Sequence, residues 1–164
     1  MAIPNIFPNT IGFSSIQVTS SGGTAPEFDV PYIIKPTEGG ASQTITPKNI
    51  KNTLALLRFT AEWLGYYLIT FNSTASGGTD RLWYFEPYKN GGALGYGNIF
   101  YYQNIVGEGD SPCYEISSTF IAKLQKDDYI EFYNTLKSEE PPEEELLFEN
   151  IQTTIYQLEQ VEIH

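Results

Sequence analysis

Gly65-Tyr66-Tyr67-Leu68-Ile69-Thr70-Phe71 decides the fold. A glycine opens straight into an aromatic and β-branched run, the composition of a strand entered through a tight turn. Asp127-Asp128-Tyr129-Ile130-Glu131-Phe132-Tyr133 has the same plan. Around these two, strand-like segments recur at short spacing. Ile11 to Val18 alternates, except for a step at Ser14-Ser15 where a bulge is expected. Phe28, Val30, Tyr32 and Ile34 alternate around Pro31, which predicts an edge strand. Arg81 to Tyr88 places Leu82, Tyr84 and Glu86 on one face and Trp83 and Phe85 on the other. Asn90-Gly91 then reads as a hairpin turn, because both residues tolerate positive φ. Asn98 to Val106, Tyr114 to Leu124, Tyr129 to Tyr133 and Ile151 to Leu158 bring the count to about eight to ten antiparallel strands, the pattern of a sandwich or barrel.

Residues 46–64 satisfy two templates. Ile50, Leu54, Leu57, Ala61 and Leu64 recur at helical steps between Thr46-Pro47 and Gly65. The same stretch also fits a strand through Leu54 to Phe59, a turn at Ala61-Glu62-Trp63, and the Tyr66 strand returning beside it. Glu139 to Glu145, with Pro141-Pro142, reads as a solvated loop.

The chain of 164 residues is one domain, large enough to bury a core without staples. Its formal net charge of −11 argues against nucleic acid and anionic membrane as partners, since both need clustered Lys and Arg. Residues 1–9 carry Ile3, Ile6 and Phe7 without periodicity and read as an extended arm ahead of a domain over 10–164. No basic-then-apolar leader and no apolar run of membrane-spanning length is visible, and the single Cys113 precludes an internal disulfide.

Three segments resemble the jelly rolls of the tumour necrosis factor and complement globular-head superfamily. They are Phe59-Thr60-Ala61 leading to Gly65 through Phe71, Tyr88-Lys89-Asn90-Gly91, and Ser117 through Phe132 across the Lys126-Asp127-Asp128 turn. The chain departs from the family pattern in carrying Asp127 where a glycine is usual. The resemblance favours strands over a helix before Gly65. It implies an all-β jelly-roll sandwich that assembles as a homotrimer, with Tyr66, Tyr67, Ile69, Phe71, Tyr129 and Phe132 at the subunit interface. A strand apolar on both faces needs a second surface to cover it.

The chemistry of catalysis is thin in this chain. The only histidine is the last residue, His164, and one Cys with one His makes a poor zinc site. Neither an enzyme nor a cofactor or metal is expected; Asp127-Asp128 and Gly107-Glu108-Gly109-Asp110 read as polar turns and lack the spacing of a calcium loop. Trp83, Tyr96, Tyr101 and Tyr102 offer rings for stacking on a glycan, with Asn98, Gln103 and Asn104 as polar neighbours. Two functions follow as expectations. One is a trimeric phage virion protein, a capsid decoration or a head- or tail-fibre module, docking on a capsid or tail protein through Ile3, Ile6 and Phe7. The other is a module of the same fold that binds a cell-surface glycan or receptor. The first places the protein in the virion; a cytoplasmic or cell-surface location is the alternative.

Overall fold

A computed structural model describes residues 11–21, 26–102 and 113–160. Among them are twelve strands: β1 (Phe13–Ser20), β2 (Tyr32–Ile33), β3 (Ala41–Ser42), β4 (Ile50–Thr53), β5 (Arg58–Ala61), β6 (Gly65–Ser76), β7 (Leu82–Lys89), β8 (Gly92–Ala93), β9 (Ile99–Tyr102), β10 (Cys113–Leu124), β11 (Tyr129–Leu136) and β12 (Leu147–Gln160). They form two antiparallel sheets. The five-stranded one runs β10-β6-β12-β1-β3; the seven-stranded one runs β4-β5-β11-β7-β8, with β2 against β11 and β9 against β7. The helical template for residues 46–64 is excluded, apart from a single 3-10 turn at Leu54–Leu56.

The two sheets bury one core between them. β6 points Tyr67, Ile69, Phe71 and Ala75 inward, and all four are fully enclosed. Phe71 lies at the centre of a ring cluster, 4.6 Å from Phe85, 4.8 Å from Phe132 and 6.3 Å from Phe148 between ring centroids. Each such aromatic contributes on the order of 2–3 kcal/mol by burial.

Three local readings change. The hairpin before Gly65 pairs β4 with β5. The Tyr66 strand does not return beside β5, because Glu62-Trp63-Leu64 carries the chain across to the other sheet. Leu57 turns the β4–β5 hairpin with φ 51°, a left-handed conformation that costs about 1–2 kcal/mol for a non-glycine. Its fully buried side chain, worth roughly 1.5–3 kcal/mol, outweighs that cost. β1 has no bulge at Ser14-Ser15 and stays in register with β12 from Phe13↔Tyr156 to Val18↔Ile151. Ser14 takes the inward position because its hydroxyl has a partner there, Asn52 Oδ1 at 2.7 Å. The bulges lie in β12 instead, at Asn150 and near Leu158.

The strand around Pro31 shrinks to Tyr32–Ile33, paired only with β11, and Phe28 and Val30 are exposed. The Asn90-Gly91 hairpin forms as read, with φ of 51° and 80°. The glutamate-rich stretch has exposed side chains, but its backbone is tied down. Glu140 and Pro141 carbonyls accept from Arg81, and the Glu144 carbonyl accepts from the Gly78 N–H.

Candidate functional site

The outer face of the five-stranded sheet changes character along its length. Its side chains line up in rows that the strand register sets. One row reads Ile121–Leu68–Tyr156–Phe13, the next Thr119–Thr70–Thr154–Ser15, and the next Ser117–Asn72–Gln152–Gln17–Ser42. The first is apolar and uncovered: Ile121 is 51% exposed and Tyr156 43%. Tyr66, Leu158 and Ile11 extend it, also exposed. The Lys123 ammonium stands 5.9 Å above the Tyr66 ring. The polar rows bond within themselves, Thr70 to Thr154 at 2.6 Å and Ser117 to Asn72 at 2.7 Å. At their far end Asn150 adopts φ 51° and breaks the β6–β12 register. Two shallow grooves of about 150 and 230 Å³ flank this bulge, lined mainly by Gln17, Ser42, Asn72, Ser117, Asn150 and Gln152.

Several residues expected at a subunit interface are not on this face. Tyr67, Ile69, Phe71 and Phe132 are sealed inside the protomer's own core, so no second copy can reach them. Their alternation partners decide the matter: Tyr66 and Leu68 look outward, and beyond them Thr70 and Asn72 make the outer face of β6 polar. Tyr129 is on the other sheet, half-buried beneath Arg58.

The expected glycan platform is also divided. Trp83 is buried, its indole N–H donating to the Gly78 carbonyl at 2.8 Å. Tyr101 is buried as well, its hydroxyl bonded to Asn134 Oδ1. Tyr96 is exposed and leans edge-on against Phe120, whereas Tyr102 lies on the outer face of β9 opposite Leu82. Asn98 Oδ1 is buried and has no hydrogen-bond partner among the described residues. Ile3, Ile6, Phe7, Gln103, Asn104, the 107–110 turn and His164 lie outside the described residues.

The outer face of the seven-stranded sheet is where composition gave no warning. Rings and carboxylates alternate there. Tyr88 and Tyr133 stack at 3.9 Å and Tyr84 and Phe100 at 4.3 Å between centroids. Glu86 sits on β7 between Tyr84 and Tyr88, directly opposite Tyr133 on β11. Glu131, on β11 between Tyr129 and Tyr133, accepts from Arg58 Nη2 at 2.9 Å and Nε at 3.1 Å. Partial burial and the nearby Glu86 carboxylate push the Tyr88 hydroxyl up to about 12, which keeps it a neutral donor to Glu86 Oε1 at 3.2 Å. At the sheet's end, burial works to raise the Asp128 carboxyl. The Asn90 amide, the Gln125 N–H and Lys89 outweigh it and hold Asp128 below the usual carboxylate range. With its oxygens so engaged, Asp128 is a turn clamp.

No protein-family model matches the chain, and no curated protein matches it in sequence. Solved structures do match in fold. The Eiger tumour necrosis factor of S. frugiperda aligns with a TM-score of 0.61 at 11% identity, over 93% of this chain and 96% of that one. Murine APRIL gives 0.57 at 9% identity, over 89% and 99%. The globular domain of zebrafish complement 1qA gives 0.53 at 12% identity, over 90% and 99%. Near-complete coverage of both partners at such low identity fixes the architecture alone. The two-sheet sandwich of this chain is a tumour necrosis factor-like jelly roll.

Proposed function

We propose that this protein is a non-catalytic binding module that works as a homotrimer, built through the apolar end of the five-stranded sheet. The observation that carries the reading is the uncovered row Ile121–Leu68–Tyr156–Phe13, with Tyr66 and Leu158 beside it. Exposed apolar residues are ordinary when scattered, but a contiguous band rimmed by threonines is the composition of an assembly surface. Threefold closure is the arrangement that the sequence resemblance implies. A binding role fits the net charge of −11. A virion role and glycan stacking on Trp83 and Tyr101 draw no support from the fold.

Light scattering tests it. Three copies of an 18.4 kDa chain give a particle of about 55 kDa. Ile121→Asp with Tyr156→Asp should release an 18.4 kDa monomer with an unchanged far-ultraviolet spectrum. A wild-type protein that is monomeric at micromolar concentration ends the proposal.

A further inference from the structure

The seven-stranded sheet displays one filled cation site and, beside it, the same groups without a cation. In the filled site the Arg58 guanidinium lies over the Tyr129 ring, 4.1 Å from its centre, and donates twice to Glu131. One step along the sheet, Glu86 is flanked by Tyr84 and Tyr88 on its own strand and faced by Tyr133. The stacked pairs Tyr84–Phe100 and Tyr88–Tyr133 stand on either side of it. Glu86 is only 9% exposed, and among the described residues it has no ion pair. Among the described residues its carboxylate has a single hydrogen bond, the 3.2 Å contact from the Tyr88 hydroxyl. Thr135, the cross-strand neighbour of Tyr84, is 1% exposed and its Oγ1 has no partner among the described residues. A carboxylate withdrawn from water with one long neutral hydrogen bond is destabilising until a cation joins it. The surrounding ring faces attract the same charge.

We infer that the Glu86, Tyr84, Tyr88 and Tyr133 cluster is the docking site for an arginine side chain of a partner protein. The filled site supplies the reason for a guanidinium: a planar fork lies flat on a tyrosine and still donates to the neighbouring carboxylate, which a point-like ammonium does less well. Lys137 does not serve. Its ammonium stands 5.5 Å from the Tyr84 ring centre but is paired with Asp29 at 2.6 Å. A second copy of this chain does not serve either. Its arginines are Arg58 and Arg81, and Arg81 is held by the carbonyls of Asp80, Glu140 and Pro141. The net charge of −11 draws a basic partner toward the surface. This inference rests on the binding-module reading and is independent of the trimer.

The probe is acetyl-Gly-Arg-Gly-amide, titrated into full-length protein carrying ring-labelled tyrosine and followed by nuclear magnetic resonance. The Tyr84, Tyr88 and Tyr133 signals should shift saturably, with half-saturation on the order of millimolar for so small a ligand. The citrulline peptide, neutral and nearly isosteric, should shift none of them. Glu86→Gln should weaken the arginine response about tenfold or more, the consequence of losing a charged hydrogen-bond partner. Equal shifts from citrulline or lysine peptides, an undiminished response in Glu86→Gln, or no saturable shift at these rings overturns the inference. The citrulline and lysine comparisons use unaltered protein, so a variant that fails to fold leaves the test intact. Light scattering on the same sample separates failure of this site from failure of the trimer.

Discussion

The Tyr101 hydroxyl donates a 2.8 Å hydrogen bond to Asn134 Oδ1 inside the sandwich, where neither side chain meets water. Asn134 in turn donates through Nδ2 to the Tyr32 hydroxyl at 3.0 Å. The chain joins β9, β11 and β2 on the inner side of the seven-stranded sheet. Tyr101→Phe leaves Asn134 Oδ1 buried without its donor and should cost about 1–3 kcal/mol. Urea unfolding measures it, and a loss below about 0.5 kcal/mol would mean that water replaces the hydroxyl.

Alkaline pH should weaken the fold in a defined window. Burial pushes Tyr32 and Tyr67 up to about 12, against an ordinary value of 10.0, and Tyr101 rises well above 10.0 for the same reason. In the unfolded chain these phenols ionise first, so the folded state holds more protons above pH 10. Their contribution is complete below pH 10 and is lost from there up to about pH 12. Thermal midpoints across this range, with ionisation followed by tyrosine absorbance, check the sign.

Asp128 acts at the other end of the scale. Its lowered carboxyl contributes stability that is present above the ordinary 3.8 and lost as pH falls below it. Asp128→Asn should flatten that acid limb of the stability profile. Asn90→Ala, which removes bonds both to Asp128 Oδ1 and from the Tyr129 N–H, should cost about 1–2 kcal/mol at neutral pH. Denaturant melts of both variants at acid and neutral pH separate the two contributions.

Thr135→Val should make the protein more stable, by about 1 kcal/mol. The hydroxyl is buried and has no partner among the described residues, and valine keeps its shape without the unsatisfied oxygen. A destabilised valine variant would show that the hydroxyl has a partner in solution.

Phe71→Ala should cost about 3–5 kcal/mol, because it empties the centre of the ring cluster. Tyr156→Ala, on the outer apolar row, should leave monomer unfolding nearly unchanged and lower the assembled mass instead. Denaturation and sedimentation of the two variants assign each residue to the core or the surface.

Strand content and architecture were legible because local signals agreed with one another. The alternation from Arg81 to Tyr88 gives the two faces of β7 as they stand, and Asn90-Gly91 supplies the positive φ that the hairpin uses. The three segments that resemble the tumour necrosis factor superfamily fall on β5 and β6, the β7–β8 hairpin, and β10 and β11. What could not be read was phase. Tyr66-Tyr67-Leu68-Ile69 is apolar at every position, so periodicity cannot say which tyrosine is inside. Cross-strand neighbours decide it, Ile155 and Phe120 beside Ile69 on the inner face. Trp83 misled for a similar reason: nothing nearby in sequence announces that Gly78 folds back to accept from its indole. The Glu131–Arg58 pairing is invisible locally, since its two ends come from β11 and β5.

The position of β12 in the five-stranded sheet has a consequence for how the chain is made. β12 is the middle strand, and β1 reaches β6 only through it. β1 must therefore wait, without its main hydrogen-bonding neighbour, until residues 147–160 have been synthesised. Contacts between such distant segments close slowly. Until Leu147–Gln160 is in place, β6 and β1 each present an open edge that other chains can pair with, and the docking of β12 is the step that joins them.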